Sequence, residues 1–322
     1  MPRNWESKCS LPVLKQRAFL MRQIREFFHE RNVLEVETPI LSSAGNTDVN
    51  IESFTSESIN RDFPKSYLRT SPEFPLKRLL CSGSGDIFEL GKVFRKGETS
   101  KTHNVEFTML EWYRIGFNYL QLMDEVNELL ISLMQDFGLS EPQIQNLTFN
   151  QCFEDYLEIN LSEISTTQLN QICRQHNYDG SELNRDEALD FLFSMQIQPR
   201  FPREKIINVT QFPASQAALS MINPEDNNTS LRFETYFNGY ELANGYQELT
   251  DAVEQEKRFN LDNAKRKNAG WNEVRMDKNL LTAMQHGMPD CSGVALGVDR
   301  LLMLLLDRKQ IDEVLSFHSK NA

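Results

Sequence analysis

In the run VEFTMLEWYR (105–114) a carboxylate, Glu111, is set among aromatic and aliphatic residues. A strand alternates its side chains between two faces, so Val105, Phe107, Met109, Glu111 and Tyr113 share one face and Glu106, Thr108, Leu110 and Trp112 the other. The first face offers a ring on which a planar base can stack and, further along, a carboxylate and a phenol suited to a cationic amine. A half-buried strand with one salt bridge has the same pattern. Just upstream, VFRKGETSKTHN puts Arg95 at a strand end and Lys96, Glu98, His103 and Asn104 in the following loop. A guanidinium there can grip phosphate oxygens in a bidentate fork, although surface salt bridges use the same residues.

Two further glutamates, Glu241 and Glu248 in GYELANGYQELTD, stand seven residues apart. In an unbroken strand that odd spacing sends them to opposite faces, whereas a turn or bulge at Asn244-Gly245 makes them converge as a site for Mg²⁺ or an amine. A solvated strand is the other reading. In GVALGVDRLLMLLLD, Gly293 and Gly297 precede Asp299-Arg300 and an apolar helix. Glycine admits a ligand close to the backbone, or merely tight packing, and Arg300 suits a phosphate or the face of a base. Neither G-x-G-x-x-G nor G-x-x-x-x-G-K-[ST] occurs, so a bound nucleotide is expected on a sheet face.

Helical spacing of apolar residues over 14–31 predicts a helix that feeds a strand in NVLEVETPIL, stopped at Pro39. The polar stretch 42–64 predicts a surface loop or irregular hairpin. Strands are expected at YLRTS (67–71), DIFELGKVFR (86–95) and VEFTMLEWYR, the first two separated by a short helix over 73–80. Residues 119–137 form an amphipathic helix closed by Gly138, and 140–205 read as a helical, polar peripheral insertion. β character returns in KIINVTQFP, LRFETYFNGYELAN and GVALG, with helices over 252–268, 279–285 and 299–308. Neighbouring strands with helices outside the sheet point to an α+β fold with a mainly antiparallel sheet, one domain over 1–322.

The net charge of −12 argues against a broad nucleic-acid surface. The longest aliphatic run, 301–306, is too short to span a bilayer, and the N-terminus lacks a signal-peptide core, so a cytoplasmic protein is expected. The five cysteines form no C-x-x-C pair, which predicts free thiols.

In their order, VLEVETPIL, the segment from Phe94 to Glu111 and the segment from Gly293 to Leu304 resemble motifs 1, 2 and 3 of class II aminoacyl-tRNA synthetases, and RTSPE, FTMLEWYR, YELANGYQEL and GVALGVDRL are most similar to the lysyl enzymes. The resemblance spans nearly the whole chain and implies the class II sheet, dimerisation through motif 1, and ATP with Mg²⁺. It implies catalytic roles for Arg95 and Arg300 on the phosphates, with His103 and Asn104 assisting and Phe107 stacking on adenine. Lys96, Gly97, Glu98, Leu242 and Gly297 complete the implied ATP site. Glu241 and Glu248 are the implied Mg²⁺ ligands, Glu248 also lying near the substrate amine. Ser71, Pro72, Glu73, Glu111, Tyr113, Asn244 and Ala295 make the implied amino-acid pocket.

The first helix begins near residue 12, which leaves no room for the anticodon-gripping barrel of lysyl-tRNA synthetases. The resemblance is therefore strongest to the free-standing paralogues that attach lysine or (R)-β-lysine to a lysine side chain of elongation factor P, without stable tRNA binding. A truncated tRNA enzyme and a non-catalytic regulatory paralogue are the alternatives. Ala295 replaces the usual glycine, in keeping with a pocket reshaped for β-lysine. The FRxE signature appears as FRKGE, so Gly97 takes the usual Glu position and Glu98 follows one residue later.

Overall fold

The computed structural model describes residues 5–60, 63–320 and 322. Its chain order is α1 (Leu11–Glu30), β1 (Leu34–Glu35), β2 (Leu41–Ser42), β3 (Thr55–Asn60), β4 (Phe63–Leu68), α2 (Glu73–Cys81), β5 (Ile87–Phe94), β6 (Glu106–Ile115) and α3 (Tyr119–Asp136). There follow β7 (Gln143–Thr148), α4 (Phe149–Leu157), α5 (Thr166–Gln175), α6 (Arg185–Leu192), β8 (Lys205–Thr210), β9 (Arg232–Phe237) and β10 (Tyr240–Gln247). The chain ends with α7 (Ala252–Asn268), α8 (Lys278–Gly287), β11 (Cys291–Gly297) and α9 (Val298–Leu305).

Eight strands join in the order β1-β5-β6-β11-β10-β9-β8-β7, parallel only at the two edges, where β1 meets β5 and β7 meets β8. The expected α+β, mainly antiparallel architecture is present. One face of the sheet is sealed because its strands alternate: Leu110 and Trp112 of β6, Val294 and Leu296 of β11, Ala243 of β10 and Phe233 of β9 all point into one core. Helices α1, α3 and α9 close it with stripes such as Val13, Leu20, Ile24, Phe27 and Phe28 on α1. Trp112 is wholly buried and donates from Nε1 to Glu125 at 2.9 Å. The opposite face is left for polar side chains.

Three segments depart from expectation. NVLEVETPIL is not one strand: Leu34 and Glu35 pair with β5, and Leu41 and Ser42 cross to a small sheet ordered β2-β4-β3. Pro39 lacks the amide that a continuous ladder needs. In YLRTS the strand ends at Leu68: Arg69 gives its amide to the Ile40 carbonyl and accepts from the Phe94 amide, and its side chain turns inward to Glu89, Thr38 and the Lys92 carbonyl. The 140–205 insertion does hold helices, and capping boxes start α4, α5 and α6 at Thr148, Ser165 and Asn184. It also donates β7 to the main sheet and has an apolar core of its own around Phe149, Phe153, Phe193 and Phe201, joined by Tyr236. The five cysteines are free thiols. Among the described residues no helix is long and apolar enough to cross a membrane.

Candidate active site

Residues paired across the central strands form rungs on the open face. One rung runs Glu89, Glu111, Ala295, Asn244, Glu234 through β5, β6, β11, β10 and β9; the next runs Ile87, Tyr113, Gly293, Tyr246, Arg232. The expected alternation of β6 holds, and Glu111 and Tyr113 lie opposite the sealed core.

Glu241 reaches this face through an irregularity. It pairs with Tyr236, Ala243 pairs with Thr235, and Leu242 is the extra residue between them. An unbroken strand would aim odd-numbered Glu241 into the core beside Ala243; the bulge turns it to the side of Glu234 and Asn244. Convergence therefore occurs as expected, but at Leu242, whereas Asn244 and Gly245 lie in regular pairing. The Leu242 side chain is 3% exposed and packs in the core, so its part in the site is the bulge alone.

The shared face does not make Glu241 and Glu248 ligands of one ion. Seven residues of strand separate them by about 20 Å, beyond the reach of two glutamate side chains to a single cation. Their surroundings differ accordingly. Glu241 lies in the fields of Glu234, Arg300, Arg232 and Arg95, and burial together with Glu234 pushes its carboxyl up to about 7. Glu248 is wholly buried and forms an ion pair with Lys77 at 2.5 Å. The carboxylate neighbour of Glu241 is thus Glu234, which accepts from Arg232, from Asn244 at 3.0 Å and from the Tyr236 hydroxyl.

Arginines and a histidine gather at the Glu241 end. Arg300 donates from Nη2 to His103 Nε2 at 2.6 Å and from Nη1 to the Glu241 carbonyl. Nε2 is then an acceptor, so the ring proton sits on Nδ1, 2.8 Å from Ser100 Oγ. Burial, and then Arg300, hold His103 below the usual histidine range. Arg95 lies with its guanidinium carbon 5.3 Å over the Phe107 ring, 3.4 Å from the Thr70 carbonyl and 3.7 Å from Glu98. Gly97, at φ 85°, supplies the left-handed turn that folds Glu98 back onto Arg95. Gly297 caps α9 with open space above it, the nearest obstacle to an added Cβ being Arg300 Cβ at 4.0 Å.

Two loop residues expected among the phosphate contacts are engaged elsewhere. Lys96 gives its backbone amide to the Glu52 carbonyl at 2.8 Å and its ammonium to the Glu52 carboxylate at 2.7 Å. Asn104 donates to the Glu106 carbonyl at 2.7 Å and accepts from the Ser319 amide at 3.2 Å, so it braces the loop against the C-terminal segment.

Carboxylates gather at the other end. Glu111, 3% exposed, accepts from Ser71 at 2.6 Å and Tyr113 at 2.8 Å. Burial and the charge of Glu73 push it up to about 8. Glu248 rises to about 8 through burial against the opposing pull of Lys77. Buried Tyr113 and half-buried Tyr246 are phenols held well above their ordinary value, first by desolvation and then by these carboxylates. Glu73 opens α2 after Pro72 and accepts from Tyr246 at 2.7 Å and Lys77 at 2.6 Å. Gly293 keeps this wall open, since a Cβ there would fall 2.3 Å from both Glu248 Oε1 and Tyr113 Cε1. A cavity of about 230 Å³ opens beside Thr70, Ser71 and Glu73, under Ala44 to Asn46.

Glu234, Lys77 and Tyr246 escaped sequence reasoning, although each had a signal. Arg232, Glu234 and Tyr236 alternate in LRFETYF, Tyr246 alternates with Asn244 and Glu248, and Lys77 follows Glu73 by one helical turn.

The chain is 47% identical over 319 residues to a Pseudoalteromonas translucida protein named elongation factor P–(R)-β-lysine ligase, covering 97% of each. It is 46% identical over 320 residues to the Vibrio cholerae protein of that name, with 98% of this chain and 97% of the relative covered. The Haemophilus influenzae protein of that name is 42% identical over 323 residues, 99% of this chain and 98% of the relative. Residues 5–321 match the family described as tRNA synthetases class II (D, K and N), and the chain belongs to that family.

Proposed function

We propose that this chain uses ATP to activate lysine or (R)-β-lysine as an aminoacyl-adenylate and transfers it to a lysine side chain of elongation factor P. The observation that carries the reading is the polarity of one sheet face, with Arg95, His103 and Arg300 at one end and Glu73, Glu111 and Glu248 at the other. Arg95 joins the two ends through the carbonyl of Thr70, next to Ser71. The names of relatives covered over nearly their whole length support the donor and the acceptor.

A diamino acid presents two ammonium groups, and buried carboxylates with phenol donors stabilise them where a neutral side chain would leave the glutamates unpaired. A donor carboxylate oxygen attacks the α-phosphorus and pyrophosphate leaves with the bonding electrons. The acceptor amine then attacks the carbonyl carbon, AMP leaves, and the amine proton passes to solvent. No protein nucleophile is needed; positioning and charge stabilisation carry the reaction. Arg95 and Arg300 suit the phosphates. Arg95 is held by long contacts of 3.4 and 3.7 Å that it can exchange for phosphate oxygens, and its departure uncovers Phe107 for the adenine.

Glu234 and Glu241 are the pair that fits Mg²⁺, because a cation relieves the repulsion that raises Glu241. When bound, Mg²⁺ supplies neutralisation of triphosphate charge. The chain acts in the cytoplasm as a homodimer, for which the sheet-edge strand β1, with Leu34 56% exposed, offers a surface. The net charge of −12 speaks against stable tRNA binding.

Intact-mass measurement of elongation factor P after incubation with the protein, ATP and each donor tests the reading. A gain of one lysyl or β-lysyl residue is expected. Charging of tRNA with no change in elongation factor P overturns it.

A further inference from the structure

Helix α2 carries a cation into the acidic end of the site. Lys77 is 1% exposed, and its Nζ lies 2.6 Å from Glu73 Oε1 and 2.5 Å from Glu248 Oε2. Glu73 Oε1 accepts from the Tyr246 hydroxyl as well. These contacts occupy one oxygen of each glutamate. Both Glu248 oxygens are buried without a hydrogen-bond partner: Oε2 faces the Lys77 ammonium and Oε1 lies against the bare Cα of Gly293. Glu111 is gripped from the far side by Ser71 and Tyr113. A buried ion network of this kind is a poor stabiliser, since apolar residues of the same shape commonly do as well or better. A role in binding accounts for it.

Resting on the reading of this end as the amino-acid pocket, we propose that Lys77 is a specificity-determining positioning residue. Its ammonium bridges Glu73 and Glu248, faces one oxygen of each, and fixes the pocket charge to match a diamino acid. Once a donor displaces the protons of Glu111 and Glu248, the three carboxylates and Lys77 leave two negative charges unanswered. Those equal the two ammonium groups of the donor once its carboxylate is joined to AMP. A monoamino acid of similar length leaves one buried charge uncompensated and is rejected on that account. Burial opposes the ammonium of Lys77, yet Glu248 and Glu73 hold it charged across the working pH range.

Pyrophosphate exchange with lysine and with norleucine as probes tests this in the wild type, Lys77→Met, Glu248→Gln and the charge-balanced double variant. In Lys77→Met, Glu248 and Glu111 lose the cation that opposes their protonation. The lysine KM should rise at least about tenfold at neutral pH, its pH profile should move upward, and the preference for lysine over norleucine should shrink, while the ATP KM stays within about twofold. A lysine KM and pH profile that superimpose on the wild type overturn the inference. Should Lys77→Met fail to fold, the double variant carries the test against Glu248→Gln alone, because Lys77 still acts on Glu73; identical profiles in those two overturn it. Wild-type protein that supports no exchange with lysine or β-lysine overturns the pocket reading itself, before any substitution is made.

Discussion

Arg300 donates a hydrogen bond to His103 Nε2 at 2.6 Å, and this contact fixes the histidine as a neutral acceptor between motif 3 and the motif 2 loop. A protonated imidazole has no acceptor and would face the guanidinium with like charge. Burial and Arg300 depress the folded-state pKa below the unfolded value, so the stabilising contribution is complete above about 6.5 and is lost as pH falls through the folded value. The ATP KM in pyrophosphate exchange should therefore rise on acidification below that pH. His103→Ala should raise it by about tenfold at neutral pH, the loss expected for one hydrogen bond to a charged group, and should remove the acid-side dependence.

Assigning the cation to Glu234 and Glu241, and the amine to Glu248, separates two effects that the sequence had merged. Glu234→Gln should raise the Mg²⁺ concentration for half-maximal exchange by about tenfold or more, as expected when one of two carboxylate ligands is neutralised. Glu248→Gln should leave the Mg²⁺ requirement alone and raise the donor KM. Mg²⁺ titrations of both variants at saturating ATP and donor distinguish this from the pairing of Glu241 with Glu248.

What could be read from the sequence was whatever depends on local periodicity. Alternation in VEFTMLEWYR put Phe107, Glu111 and Tyr113 on the correct face, and the structure seats Arg95, His103 and Arg300 at one end of that face. Where a bulge lies was not legible, because Asn244-Gly245 carries the stronger local turn signal, while Leu242 is displaced by its pairing with β9. Nor was the partner of a charge. Glu234 and Glu241 meet only when β9 and β10 form a hairpin, and Lys77 reaches Glu248 only when α2 packs beside the end of β10. The side chains of Asn104 and Lys96 went to structural partners for the same reason: polar residues in a phosphate-binding loop also have to hold the loop.

Arg69 holds the end of the motif 1 segment to β5. It donates to Glu89 at 2.6 Å, to Thr38 Oγ1 at 2.9 Å and to the Lys92 carbonyl at 2.9 Å, with arginine and glutamate side chains 6% and 4% exposed. Breaking one side of such a pair leaves a buried charge unanswered, so Arg69→Met should cost about 3–5 kcal/mol, measured by denaturant unfolding. Gly91→Ala should be destabilising through the same network, since its Cβ would meet Arg69 Nη2 at 2.6 Å. The charge-free pair Arg69→Met with Glu89→Gln should recover much of the loss.

The acidic pocket makes a pH prediction of opposite sign. Burial and Glu73 push Glu111 up to about 8, far above an unfolded glutamate, so the folded state keeps a proton that the unfolded state has released. The stability this group contributes is complete below about 4.5 and declines as pH rises through about 8. The free protein should therefore melt at progressively lower temperature from pH 6 to pH 9. A diamino ligand supplies Glu111 with an ammonium partner in place of its proton, so binding should drive proton release and flatten that decline. Calorimetric titration of lysine in buffers of different ionisation enthalpy counts the protons: release at pH 7 is expected, and it should shrink in Glu111→Gln. A lysine-binding enthalpy that does not change with the buffer would mean that these carboxylates are already ionised in the free pocket.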